Sequence, residues 1–254
     1  MLLTLDMGNT NITIGVFRGD QLLFESRVAT DDRKMEDEYA VELMDIFRLY
    51  GIETVRFQGA IISSVVPALD LRIRRAVEKI TGVTPMQVGP GLKTGINIRI
   101  DNPAQLGADL LIGAVAAIAQ YGAPCIIWDL GTATTVSVVD KSGAFRGGAI
   151  MAGVNTALNS LIATTSLLPR ISTEAPANVI GTNSVASLQS GTVFGTAAML
   201  DGMCDRIEQE LGYPATVIAT GGLGREIIPH CHRSIQYDDN LLLNGLRLVY
   251  EKNK

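Results

Sequence analysis

A chain of 254 residues suffices for one large domain or two ordinary ones, and 47% hydrophobic against 19% charged residues excludes a globally disordered polymer. The 26 acidic and 21 basic residues leave a net charge of −5, against the clustered basic face of a nucleic-acid binder, so no nucleic-acid partner is expected. Cys125, Cys204 and Cys231 are far apart and form no C-x-x-C pair, which fits a reducing compartment; His230 and His232 beside Cys231 read as a surface turn rather than a zinc site. Met1–Leu5 leads straight to Asp6 without the parts of a secretory signal, and Leu110 to Ala119 is too short to span a bilayer. The expectation is a soluble, cytoplasmic protein with no membrane partner.

In chain order, Leu2–Leu5 reads as a strand, Asp6-Met7-Gly8-Asn9-Thr10 as a turn, and Ile12, Ile14 and Val16 as an alternating strand. Arg18-Gly19-Asp20 then turns the chain into a strand over Gln21–Val28. Glu36–Tyr50 is expected to be a helix, with Val41, Met44 and Phe47 recurring every third residue. A buried strand over Ala60–Val66 stops at Pro67, and a basic helix over Leu69–Thr81 follows it. After Pro103, residues Ala104–Tyr121 read as one helix. Pro124–Trp128 is a strand ending at Asp129, Leu130–Thr135 a turn, Val136–Val139 a strand, and Lys141-Ser142-Gly143 a hairpin turn.

Strand, acid, Gly-Thr turn, strand and hairpin thus appear near residue 6 and again near residue 129. A repeat of that length predicts two related α/β lobes, residues 1–115 and 116–254, divided within the helix around Leu106–Tyr121.

An acid ending a buried strand suits a hydrated divalent cation, because Mg²⁺ keeps several waters and uses few carboxylates. Gly8 lets a turn approach phosphate oxygens, and the backbone with Asn9, Thr10 and Asn11 offers donors; alone, the same residues are also good hairpin chemistry. Asp129-Leu130-Gly131-Thr132-Ala133-Thr134-Thr135 supplies these elements again, and two such loops across a cleft would clamp a polyphosphate and its metal, as phosphoryl transfer requires. Thr220-Gly221-Gly222 follows an apolar run and lets backbone pass close to a flat ligand such as adenine, without the G-x-G-x-x-G of a dinucleotide fold. Gly147–Gly153 leads into a helix, as an anion site or as close packing at a corner. Asp109 lies in the helix joining the lobes, as a solvated acid or as the acceptor of a hydroxyl proton.

The ordered set D-M-G-N-T-N, G-A-D, D-L-G-T-A-T-T, G-G-A-I and T-G-G resembles type III pantothenate kinase over essentially the whole chain. The resemblance implies a duplicated ribonuclease-H-like, actin-like ATPase fold with two lobes and a central nucleotide cleft. It also implies a homodimer that phosphorylates pantothenate with ATP and Mg²⁺, assisted by potassium or ammonium, in the first step of coenzyme A synthesis. By position it assigns Asp6, Met7, Gly8, Asn9, Thr10, Asn11, Ile12 and Thr13 to the ATP phosphate loop, with Asp6 on the Mg²⁺ side. Thr132 is the second ATP contact, Gly221 and Gly222 belong to the nucleotide loop, Asp129 is the monovalent-cation ligand, and Asp109 is the proton acceptor. Ile100, Gly107, Ala108, Asp109, Leu110 and Ser184 fall in the pantothenate site.

The departures from that pattern cluster there. Leu110 stands where the family's G-A-D-R has arginine, Ile100 replaces the tyrosine before D-N-P, Ser184 a threonine, and Ala152 the proline of G-G-x-I-x-P-G. Losing a charge-assisted contact to a carboxylate costs about 1.5–3 kcal/mol, or one to two decades in binding. Three functions are therefore weighed: a pantothenate kinase with a modified pocket, a same-fold kinase for a less anionic hydroxyl compound, and a nucleotide-binding regulator without catalysis.

Overall fold

The computed structural model describes residues 1–52 and 56–254. It forms two compact units. The first comprises residues 1–95, 102–116 and 241–254, and the second residues 96–101 and 117–240. A single division after residue 115 misses two exchanges: the C-terminal helix belongs to the first unit, and a short strand before residue 101 belongs to the second.

In the first unit, strands Leu2–Met7 (β1), Asn11–Arg18 (β2), Gln21–Ala29 (β3), Gly59–Ser64 (β4) and Met86–Gln87 (β5) form one sheet in the order β3-β2-β1-β4-β5. The β1–β2 and β2–β3 pairs are antiparallel, whereas β4 and β5 add in parallel. Helices Glu36–Leu49 (α1) and Pro67–Thr81 (α2) supply the crossovers. Alternation divides the sheet: Leu3, Leu5, Met7, Ile12, Ile14, Ala60 and Ile62 join the core with α1 and α2. Thr4, Asp6, Thr13, Gly15 and Ser63 take the other face by the same period. Residues Leu241–Asn253 (α7) pack there, where Gly15 and Gly59 make room for Leu243 and Tyr250.

The second unit repeats the plan. Asn97–Ile98 (β6), Cys125–Leu130 (β7), Ala133–Val139 (β8), Ala144–Ala152 (β9), Thr216–Thr220 (β10) and Gln236–Tyr237 (β11) give the order β11-β10-β7-β8-β9-β6. With β6 set aside as an addition, strands β7 to β11 match β1 to β5 in order and direction. This is the ribonuclease-H-like arrangement, present twice. The unit's helices are Val154–Ala163 (α4), Ser184–Leu211 (α5) and the single turn Gly224–Ile227 (α6). Trp128 is fully buried among Ile126, Leu130, Val136 and the residues of α5, with its Nε1 donating to Cys204 Sγ at 3.3 Å. All three cysteines are free, and burial pushes the thiols of Cys125 and Cys231 up to about 12.

Several expected boundaries move for local reasons. Helix α2 starts at Pro67, since a missing N–H costs nothing in a first turn, and Gly82 closes it at φ +70°. Residues Ala104–Tyr121 are two elements: Asn102 caps a 3₁₀ turn over Pro103–Gln105, Leu106 is extended, and Ala108–Tyr121 (α3) follows. Thr134 and Thr135 lie inside β8 rather than in a turn. On α1 the buried residues are Tyr39, Ala40, Leu43, Ile46 and Phe47, while Val41 and Met44 are 58% and 56% exposed. A strict three-residue spacing precesses around a 3.6-residue helix, so that Val41 and Met44 turn away from the core. Urea unfolding tests this face: Leu43→Ala is expected to cost about 2–5 kcal/mol, and Val41→Ala to stay within about 0.5 kcal/mol.

Candidate active site

Asp6 is the penultimate residue of β1, the central strand of its sheet. Thr13 on β2 and Ser63 on β4 stand directly opposite it in register and share its face. Asp129 has the same setting, between Thr135 on β8 and Thr220 on β10. Each acid is therefore flanked by two hydroxyl residues on adjacent strands. Ser63 is fully buried and its Oγ has no hydrogen-bond partner, so this row retains unused polar capacity. The role of Ser63 is not legible locally, because only the parallel β1–β4 register puts it beside Asp6.

Beyond Asp6 the chain turns through Gly8, Asn9, Thr10 and Asn11, closed by Gly8 N–H to the Asn11 carbonyl at 3.0 Å. Ile12 enters the core behind the turn. The second turn is one residue shorter, with Gly131 N–H donating to the Ala133 carbonyl at 3.1 Å and Thr132 at its tip. Three glycines shape it. A Cβ on Gly221, whose φ is +93°, would lie 2.6 Å from both Asp129 Oδ1 and the Leu130 nitrogen. A Cβ on Gly131 would lie 3.4 Å from the same carboxylate oxygen, and one on Gly153 would overlap the Thr132 carbonyl. The Asp129 carboxylate thus sits in a cradle that a side chain would fill, an oxygen-donor setting suited to a weakly hydrated cation. Gly222 follows in the same loop, and Tyr237 OH holds it by donating to the Gly221 carbonyl at 2.9 Å.

Asp109 lies in the first turn of α3, with Gly107 and Ala108 before it and Leu110 after it. Its Oδ1 accepts from Leu110 N–H at 2.8 Å and folds back over Gly107, where a Cβ would overlap it. A side chain here would displace the Asp109 carboxylate from this position. Burial raises the Asp109 pKa above the ordinary aspartate value, opposed by the Leu110 N–H. Ile100 follows β6, its Cγ2 3.7 Å from where a Gly147 Cβ would stand. Ser184 opens α5 behind the cap residue Asn183, whose side chain accepts from Ala186 N–H at 2.9 Å. Asp6, Thr13, Gly107, Ala108, Asp109 and Leu110 are in the first unit; Ile100, Asp129, Thr132, Ser184, Gly221 and Gly222 are in the second.

A carboxyl whose pKa is raised by folding binds protons more readily in the native state. Its contribution to stability therefore falls as pH rises from the ordinary aspartate value through the raised one. Asp109→Asn is accordingly expected to raise the melting temperature at pH 7, with the gain vanishing below about pH 3.9. Thermal scans across pH check this, and a destabilised variant at pH 7 would contradict it. Gly221→Ala is expected to lower the melting temperature, because the added Cβ meets backbone atoms of Leu130 that have no room to move.

Comparison with known proteins joins these features into one lineage. The family model for type III pantothenate kinase matches residues 2–206. A type III pantothenate kinase of Myxococcus xanthus (strain DK1622) is 41% identical over 253 residues, covering 100% of this chain and 99% of the relative. That of Brevibacillus brevis (strain 47) is 42% identical over 254 residues, covering 100% of both. Among solved structures, a Campylobacter jejuni protein provisionally named a Baf family transcriptional activator superposes with a TM-score of 0.62. It shares 17% identity and covers 99% of this chain and 98% of that one, a likeness that speaks for the fold. With the duplicated acid-and-glycine turns lying inside a match that runs the length of both relatives, this chain belongs to the type III pantothenate kinase family.

Proposed function

We propose that the protein phosphorylates pantothenate with ATP, the first step of coenzyme A synthesis, in the cytoplasm. The observation that carries this reading is the repeated acid–glycine turn, set in a chain that matches type III pantothenate kinases along its length. No helix among the described residues is long and apolar enough to cross a membrane, in keeping with a small soluble substrate.

In this reading the two turns hold one nucleotide. Gly8 N–H is used in closing its own turn, so phosphate oxygens take donors from Asn9, Thr10 and Asn11 and from the Thr132 region. Asp6, a single carboxylate at a strand end, would hold Mg²⁺, which would supply charge neutralisation for phosphoryl transfer. Asp129, in its glycine-lined cradle, takes potassium or ammonium, and Gly221 with Gly222 lets backbone approach the nucleoside. Asp109 accepts the proton of the attacking hydroxyl. Its raised pKa brings it closer to neutrality and makes it a better base than a solvated aspartate.

Ile100, Gly107, Ala108, Leu110 and Ser184 line the acceptor site. Leu110 offers no cation to a carboxylate, which favours as second reading a less anionic hydroxyl compound on the same machinery. Pantothenate-dependent ADP release by the purified protein with Mg²⁺ and potassium separates the two. Turnover with pantothenate supports the first reading; ATP binding without turnover at millimolar pantothenate overturns it. Asp109→Asn should cut kcat by about 10²–10⁴, and Leu110→Arg should lower KM for pantothenate by about one decade.

The second unit exposes large apolar side chains, among them Ile150 75%, Leu167 91%, Val179 67% and Ile180 84%. We propose that Leu167 and Ile180 belong to the contact with a second copy in a homodimer. Light scattering should report a dimer for the wild type and a monomer for a Leu167→Glu, Ile180→Glu double variant.

A further inference from the structure

Each turn, closed by its own backbone bond, is also held from outside. Thr30, just past β3, donates its hydroxyl to the Gly8 carbonyl at 2.7 Å and its N–H to the Thr10 carbonyl at 2.9 Å. Thr156, in the first turn of α4, donates its hydroxyl to the Thr132 carbonyl at 2.8 Å. Thr30 directly follows β3; by register its counterpart after β9 is Gly153, and Thr156 lies three residues further on, in the first turn of α4. Gly153 belongs to the second of these supports, since only a residue without a Cβ lets the β9–α4 junction reach the back of Thr132.

A trans peptide points its carbonyl and the following N–H to opposite sides. Fixing the carbonyls of Gly8, Thr10 and Thr132 therefore directs the N–H groups of Asn9, Asn11 and Ala133 away from the clamping threonines. A glycine-containing turn without this restraint can rotate its peptide planes and present a carbonyl oxygen in place of an amide. For an anion that exchange replaces attraction with repulsion.

We infer that Thr30 and Thr156 are positioning residues for polyphosphate binding: their hydroxyls keep amides, rather than carbonyls, turned toward the nucleotide. The inference rests on the kinase reading above. It adds two residues that touch neither metal nor substrate and act through the peptide planes of the turns. Thr30 is the stronger of the two, since its hydroxyl bond is part-buried, whereas that of Thr156 is exposed and competes with water.

Valine matches threonine in shape and removes only the hydroxyl, and serine restores it. Calorimetric titration of the whole protein with ATP and Mg²⁺ should show Thr30→Val binding about three- to tenfold more weakly than wild type. Thr156→Val should lose less, and both serine variants should return to within about twofold of wild type. In steady-state assays the valine variants should raise KM for ATP and leave KM for the acceptor unchanged. A purely structural role would instead lower the melting temperature and move both constants. Wild-type affinity in Thr30→Val, failure of serine to rescue, or a parallel rise in acceptor KM would each overturn the inference while the kinase reading stands. Wild-type protein that binds no ATP would overturn both.

Discussion

A carboxylate held at the end of a central strand, between hydroxyl residues on both neighbouring strands, is the constraint on which each unit depends. Asp6 sits between Thr13 and Ser63, and Asp129 between Thr135 and Thr220. The sheet fixes the acid laterally, and the apolar alternation of the same strand fixes its face: Leu5 and Met7 enter the core, so Asp6 takes the opposite side. A slip of one residue would exchange buried leucine for buried aspartate, a cost that holds the register. The turn after each acid is then free to be unusual. Glycines accept close backbone contacts, and the turns are buttressed from outside by threonines rather than by their own side chains.

The same logic sets stability against function at Asp109. Its carboxyl is folded over Gly107 and withdrawn from water, which raises its pKa and costs stability at neutral pH. An apolar or amide residue would serve the helix better. The penalty has a use if the carboxylate must take a proton from a hydroxyl, because basicity is what desolvation supplies. Leu110 beside it is apolar and brings no charge of its own. In the proposed reading, the chain therefore keeps a base for the chemical step beside an apolar residue on the acceptor side.

Local chemistry made the hairpins legible in sequence. Strand alternation has a period of two, and D-x-G turns are encoded by adjacent residues, so the repeat near residues 6 and 129 could be read directly. Elements whose outcome depends on distant partners were not. On α1 a threefold apolar spacing pointed to Val41 and Met44, yet the buried face includes Tyr39, Leu43 and Ile46. The break at Leu106 depends on Asn102 capping a short turn, and the return of α7 to the first unit depends on Gly15 and Gly59 leaving space on a sheet far away in sequence. Within the site the acids and glycines announced themselves by composition. Thr30, Thr156 and Ser63 carry no such mark, since their significance comes from register and from carbonyls they reach across other strands.

The central proposal is that the acid of each turn takes part in nucleotide binding. Calorimetric titration of ATP with Mg²⁺ into Asp6→Asn, Asp129→Asn and the double variant tests it most directly. The account predicts one ATP per chain in the wild type, weaker binding in each single variant, and a double variant whose loss departs from the sum of the two, as residues with a shared partner do. Wild-type affinity in either single variant, or strictly additive losses at two separate sites, would contradict it.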